Sequence, residues 1–564
     1  MNVETFLANF DRLAEAPNGI PKLRELILQL AVRGKLVPQD PEDEPASELL
    51  KKIQAEKQRL IAEGTIRKTT QLSPVGESEI LYEIPASWMH VKLGDWGDWG
   101  AGATPNRRES EYYGGTMPWF KSGELRDCEC LTESQELVTE RALAECSLRT
   151  DKPGDVLIAM YGATIGRLAI LGVEATTNQA VCACTCFTDV FNQYLFLLLR
   201  SYRLRFTAKG SGGAQPNISK VKIVGTPAPM PPLAEQKRIV AKVDELMALC
   251  DDLETKQQAK RAKRIALNRA SLHELTEPNE TSLATAWHRV RDHFDDLYTV
   301  PETVAQLRQT ILQVAVMGRL VPQDPNDEPA SELLKKIQAE KQRLIAEGRI
   351  RKPKPLPPIG SDEAADKLPR GWEWTRLDKL CSKITDGAHH TPTYIPSGVA
   401  FLSVKDVSSG WLDFSSTKFI SREEHEELSA RCSPQLGDIL LTKVGTTGIA
   451  VAVDTDREFS LFVSVALLKP IRNKVDVDWL TRVLNSPLLK QQSEAQTMGV
   501  GNKNLVLKFI RAFTLPLPPL AEQKRIVAKA DQLMVLCDDL ETKLNQAQQN
   551  VDHCLASIVY ELIA

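Results

Sequence analysis

The residues best equipped for chemistry lie in one short basic stretch and its later counterpart. From Arg200 to Lys222 the chain carries Arg200, Arg203, Arg205, Lys209, Lys220 and Lys222 and no acidic residue. Inside it, Gly210-Ser-Gly-Gly-Ala-Gln215-Pro-Asn217 combines glycines with two amides. Glycine lets a backbone approach phosphate closely, and Gln or Asn presents a paired donor and acceptor to a base edge. The chemistry implied is DNA contact. A helix C-terminus with basic residues favoured by its dipole, followed by a loop, produces the same pattern. Met498-Gly-Val-Gly-Asn502-Lys503-Asn504 stands in the corresponding place later in the chain.

Other polar loops join this set. Arg107-Arg108, near Tyr112-Tyr113, suits phosphate pairing with an aromatic alongside. Tyr161-Gly-Ala-Thr164 and Lys443-Val-Gly-Thr446-Thr447 follow strand-like runs and read equally as DNA-contacting loops or ordinary hairpin turns. In Trp119-Phe-Lys121 and Phe401-Leu-Ser-Val-Lys405 the aromatics suit a core and the lysines suit contact. His389-His390 is compatible with a solvated loop, a DNA contact or a ligand pair, but no carboxylate spacing supports a metal. Cys182, Cys184 and Cys186 alternate, which places them on one strand face and is not a Cys-x-x-Cys metal pattern.

No catalytic motif accompanies these loops. There is no Gly-x₄-Gly-Lys-[Ser/Thr] phosphate loop, and Gly210–Gly213 lacks the Lys-Ser/Thr that would complete one. The Asn/Asp-Pro-Pro-aromatic motif of amino-methyltransferases is missing as well. The expectation is a chain with no catalytic residues, no metal and no cofactor of its own.

The elements that must position the loops come from a duplication. Leu23–Lys68 and Leu307–Lys352 are identical at 39 of 46 positions, and Pro229–Lys256 matches Pro516–Lys543 at 24 of 28. The second pair opens two long helical patterns. Ile239, Val243, Leu246 and Leu253 mark the seam of the first, and Ile526, Leu533, Leu540 and Leu544 that of the second. With Cys250 in the first, and Ala530, Cys537, Ala547, Val551, Cys554 and Ile558 in the second, the alternating three- and four-residue spacing predicts coiled-coil or partner-docking seams. Between these flanks lie two divergent cores of short apolar runs bounded by glycine and polar turns, which predict strands. The expected segments are a helical region over 1–83, a first core over 84–228, a central region with its long helix over 229–366, a second core over 367–515 and a last long helix over 516–564.

Composition sets the outer limits. At 564 residues with 42% hydrophobic content the chain predicts several globular domains. The formal net charge of −4 does not advertise nucleic-acid binding, so that case rests on local arrangement. No apolar run approaches the ~20 residues that span a bilayer. Met1–Phe10 does not read as a secretory signal, so the cytoplasm is the default expectation.

Two nearly identical flanks around two different cores imply that the flanks meet the same partner surface twice while each core meets something different. Each core is followed by Pro-x-Pro-Pro-Leu-Ala-Glu-Gln-Lys-Arg-Ile-Val and a helix running through Leu-Cys-Asp-Asp-Leu-Glu. In this the chain resembles the specificity subunits of Type I restriction–modification enzymes over essentially its whole length. The resemblance implies an α+β protein: two α/β target-recognition domains, joined and separated by two long antiparallel coiled-coil helices, in a pseudo-two-fold tandem duplication. It implies that each domain reads one half of a bipartite, asymmetric site in double-stranded DNA. It also implies two adenine-methyltransferase subunits using S-adenosylmethionine, and motor–nuclease subunits using ATP and Mg²⁺. A helix from Ala521 to Leu562 would be about 60 Å long and act as a ruler between half-sites about 34 Å apart. The competing readings are a methyltransferase or nuclease in its own right, and a coiled-coil scaffold without sequence recognition.

Overall fold

A computed structural model describes residues 6, 8–16, 18–68, 72–209, 217–276, 280–364, 367–497 and 504–563. The chain divides into two compact units, Met1–Lys260 with Ala547–Ala564, and Arg261–Gln546.

In the first unit Asn18 takes a left-handed φ of 54° between helix Phe10–Glu15 and α1 (Gly19–Val32). Next comes α2 (Ala46–Ala62), which docks through Ala46, Leu49 and Ile53 and leaves its charged face in solvent. The recognition domain contains β1 (Met89–Lys92), β2 (Gly97–Ala101), β3 (Tyr113–Phe120), β4 (Cys128–Leu131), β5 (Leu137–Val138), β6 (Val156–Ala159), β7 (Leu168–Leu171), β8 (Thr176–Thr177), β9 (Val181–Cys186) and β10 (Pro227–Met230). The orders are β2-β9-β6-β7-β4 in a five-stranded sheet and β5-β3-β8 in a three-stranded one. Cys182 and Cys184 are fully buried on β9, in keeping with a packed strand face. Strands β1 and β10 pair separately and close the domain's neck, where a two-stranded ribbon tolerates Pro227 and Pro229.

The chain then enters α3 (Leu233–Thr276), a 44-residue helix. Ile239, Val243 and Leu246 share a core with Leu23, Leu26, Ile27 and Leu30 of α1, and Leu253 is half-buried against it. The apolar seam of α3 is therefore filled by the chain's own short helix. At these residues the seam packs in the first unit's own core and not against the other long helix, and it is not a surface open to a partner subunit.

The second unit repeats the plan with α4 (Pro301–Val316), α5 (Ala330–Ala346) and a second recognition domain. Its strands are β11 (Glu373–Arg376), β12 (Cys381–Asp386), β13 (Val399–Leu402), β14 (Lys418–Ile420), β15 (Ile439–Thr442), β16 (Ala450–Ala452), β17 (Phe459–Leu461), β18 (Val465–Pro470) and β19 (Thr514–Leu517). They form a β12-β18-β15-β16 sheet, a β14-β13-β17 sheet and a β11-β19 neck. The last helix, α6 (Leu520–Ile563), also spans 44 residues. Ile526 is buried in the core of the second recognition domain, and Leu533, Leu540 and Leu544 are half-buried against a core containing Leu307 and Ile311 of α4. They too pack within the chain and are not open to a partner. Beyond Leu544 the expected stripe fades: Ala547 and Cys554 are exposed. There a polar contact takes over, with Lys22 Nζ 3.0 Å from Asp552 Oδ1. Helix α3 starts in the first unit and ends in the second, while α6 starts in the second and ends in the first.

The repeated Ala-Glu-Gln-Lys-Arg motif is an internal latch in both units. Glu235 accepts from the Trp88 indole at 2.8 Å and from Gln39 at 2.6 Å, and Arg238 pairs with Asp43 at 2.7 Å. Glu522 accepts from Trp372 at 3.0 Å and from Gln323 at 3.2 Å, and Arg525 pairs with Asp327 at 2.5 Å. Gln236 and Gln523 each accept a backbone N–H of their recognition domain, from Phe191 at 3.1 Å and Asp476 at 3.0 Å. The motif thus ties domain neck, proline loop and long helix together. Internal contact accounts for its recurrence at these side chains; a shared outside partner is not needed there.

Candidate nucleic-acid interface

Both recognition domains carry the same loop wiring at one end of the larger sheet. In the first, Ala103 N–H donates to Thr177 at 3.0 Å, Met160 to Ala180 at 2.8 Å, and Ile218 to Met160 at 2.9 Å. In the second, Ala388 donates to Leu461 at 2.7 Å, Lys443 to Ser464 at 2.9 Å, and Leu505 to Lys443 at 2.7 Å. An isolated β-bridge joins Tyr161 to Asn217, and its counterpart joins Val444 to Asn504. Three loops therefore meet on each rim: one after β2 or β12, one after β6 or β15, and the end of the glycine-containing segment. Gly102 and Gly387 allow this close meeting, because a side chain at either would collide with the Thr177 or Leu461 carbonyl.

On the first rim, Tyr161 is exposed and Thr164 closes its own turn by donating to the Tyr161 carbonyl at 2.7 Å. Lys220 donates to the Trp99 carbonyl at 3.2 Å. Arg107 lies 4.7 Å from the Tyr113 ring centroid and 4.9 Å from that of Trp119. It also pairs with Glu136 at 2.5 Å, and Lys121 pairs with the same carboxylate at 2.6 Å. Hydrogen bonds from Arg107 and then Lys121 hold the Glu136 carboxyl below the usual carboxylate range. Arg107 and Lys121, both expected DNA contacts, thus share one carboxylate. Arg108 is exposed, its backbone N–H held by Asn106 at 3.1 Å. Lys209 ends helix Arg203–Lys209, and Gln215 lies outside the described residues.

The second rim is built around Asp386, the last residue of β12 and itself almost wholly buried. Its carboxylate meets Lys443 Nζ at 3.0 Å, Arg431 Nη2 at 2.6 Å and His389 Nε2 at 3.0 Å. Lys443 is buried, so its predicted DNA contact is corrected: its ammonium neutralises Asp386 inside the domain. His389 is part of this ion cluster, whereas His390 is in solvent 4.0 Å from Glu424. Among the described residues no group of three or more His, Cys, Asp or Glu forms a metal-binding set. Lys405, Thr446 and Asn504 are exposed, and Thr447 lies 3.4 Å from the Thr497 hydroxyl. Asn502 and Lys503 lie outside the described residues.

Sequence reasoning missed Glu136, Asp386 and Arg431. Their partners are remote in sequence, and only Asp386, immediately before Gly387 and the histidine pair, carried a local signal. It also missed a half-buried cluster in the first domain. Arg149 Nε is 2.9 Å from Asp151, and its Nη2 is 3.2 Å from Asp98 and donates to Thr185 at 2.9 Å. Burial pushes the Asp151 carboxyl up to about 7 despite the opposing Arg149 charge.

Comparison with known proteins adds an independent line. The profile of the Type I restriction modification DNA specificity domain matches residues 85–262 and 369–548. The chain belongs to the family of Type I restriction specificity subunits. It is 34% identical to the EcoAI specificity subunit of Escherichia coli over 95% of this chain and 92% of that one. It is likewise 34% identical to the EcoEI specificity subunit of the same organism, with the same coverage. A solved chain from a type I R-M system aligns at 19% identity over 86% of this chain and 99% of its own, with a TM-score of 0.48. The two matched segments of this specificity subunit each contain one recognition domain and the start of the long helix that follows it.

Proposed function

We propose that this chain is the non-catalytic subunit that reads a bipartite, asymmetric DNA sequence, one half-site per recognition domain. It would direct two adenine-methyltransferase subunits to that sequence and, in the full assembly, motor–nuclease subunits. The observation that carries the reading is the pair of rims: equivalent backbone wiring in two domains that keep Asn217 and Asn504 in common but differ at Tyr161 against Val444, at Met160 against Lys443, and in the loops carrying Arg107 and His389. Equal frames with unequal faces suit two different half-sites. Tyr161, Thr164, Asn217 and Arg108 face one half-site, and His389, Lys405, Thr446, Thr447 and Asn504 the other. S-adenosylmethionine, ATP and Mg²⁺ belong to the partner subunits. Among the described residues no helix is long and apolar enough to cross a membrane.

The deciding experiment maps methylated adenines in a cell with the gene and its partner genes, against the same cell lacking only this gene. A two-part asymmetric motif that vanishes with the deletion is the expected result. An unchanged methylome in the presence of an active methyltransferase partner would overturn the reading.

A further inference from the structure

Each recognition domain contains an ion cluster, and the two differ in charge balance. In the first, Arg149 is mostly covered and enclosed by Asp98 and Asp151. In the second, one carboxylate, Asp386, serves two permanent cations, Lys443 and Arg431. Lys443 is 6% exposed and Asp386 3%, so these two neutralise each other inside the domain. Arg431, at the end of helix Arg422–Arg431, is 54% exposed and retains its charge at the surface. His389, 55% exposed, sits beside it with Nε2 2.9 Å from Arg431 Nη2.

Among the described residues the guanidinium is held at Nη2 only. Its Nη2 faces Asp386 and His389, which leaves the donors on Nη1 and Nε for an outside acceptor. Both two-point edges of a guanidinium include Nη2, so Nη1 and Nε, held in place by the buried carboxylate, each offer a single pre-oriented hydrogen bond to a phosphate oxygen or to a guanine O6 or N7. Its place on the rim follows from its neighbours. Lys443 directly precedes the Val444–Asn504 bridge, and His389 follows the Ala388 contact with Leu461.

We infer that Arg431, oriented by the buried Asp386 and flanked by His389, is a DNA-contacting and specificity-determining residue for the half-site read by the second domain. The inference rests on the DNA-reading role proposed above. It assigns Asp386 as a positioning residue and removes Lys443 from the set of direct contacts.

The test uses the chain assembled with its methyltransferase partners, carrying R431A, R431K, D386N or K443M/D386N. Binding is measured on a duplex bearing the motif, over a range of salt, and modified adenines are mapped in cells. The expected result is that R431A weakens specific binding by about tenfold or more and disturbs only the second domain's half-site. If the acceptor is guanine, one base pair of that half-site becomes degenerate in R431A. If it is phosphate, R431K retains most binding, R431A lowers the salt slope by about one, and no base relaxes. D386N alone also strands the buried Lys443 ammonium, so it is read with K443M/D386N, which frees the guanidinium without removing it and should show a weaker form of the R431A effect. An R431A complex that assembles, binds and methylates the same motif like wild type would overturn the inference while leaving the chain's function intact. Absence of any gene-dependent motif in wild type would overturn both.

Discussion

The indole of Trp88 donates to Glu235 across 2.8 Å, and the same relationship recurs between Trp372 and Glu522 at 3.0 Å. Each glutamate opens a long helix, and each tryptophan opens a recognition domain. Replacing Glu235 by Ala leaves the buried indole N–H and the Gln39 amide without their acceptor. The expected cost is about 1–3 kcal/mol of stability in chemical denaturation, with E235Q milder because an amide oxygen still accepts. A denaturation midpoint unmoved by E235A would mean that the latch contributes nothing.

The seam of α3 supplies a second prediction. Leu246 is 3% exposed and packs with α1, whereas Leu536 of α6 is 59% exposed. Leu246→Ala should destabilise the chain by about 2–4 kcal/mol through lost burial and a residual cavity. Leu536→Ala should change stability by less than about 0.5 kcal/mol. Equal effects would contradict the assignment of the seam to the chain's own core.

Lys443 and Asp386 supply a third. Asp386→Asn strands the buried Lys443 ammonium and should cost about 3–5 kcal/mol, whereas Lys443→Met leaves Asp386 paired with Arg431 and should cost less. The double change K443M/D386N removes both charges and should recover much of the D386N loss. A double variant as damaged as D386N alone would show that the pair is not the source of the effect.

Asp151 makes stability depend on pH. Its folded-state value of about 7 lies above its ordinary value, so the folded chain holds a proton that the unfolded chain releases. The associated stability is fully present below about pH 4 and is lost as pH rises through about 7. Relative to D151N, the wild type should therefore lose stability between those limits. Parallel stability–pH curves for the two proteins would remove Asp151 as the cause.

The two rims predict separable specificity. Asn217→Ala should alter only the first domain's half-site, and Asn504→Ala only the second's. Each should weaken its own half-site by about tenfold where a base contact is lost. Adenine mapping reads both outcomes, and a change in both half-sites from either variant would argue against independent domains.

Much of the architecture was legible in the chain alone. The duplicated flanks, the two long helices, the break at Asn18 and the strands at Val156, Leu168 and Val181 follow from periodicity, glycine, proline and β-branched runs, which act over a few residues. The loops on each rim were legible for the same reason, since turns write themselves in local sequence. What the loop side chains do was decided only by tertiary structure. Lys443 looked like a DNA contact until Asp386, remote in sequence, closed over it. Arg107 and Lys121, both expected DNA contacts, share Glu136. The seam of α3 looked like a partner surface until α1 filled it. Local patterns specify which elements form, because their causes are local. Whether a charge or an apolar stripe remains available depends on which distant segment the fold brings against it, and spacing along the chain does not encode that.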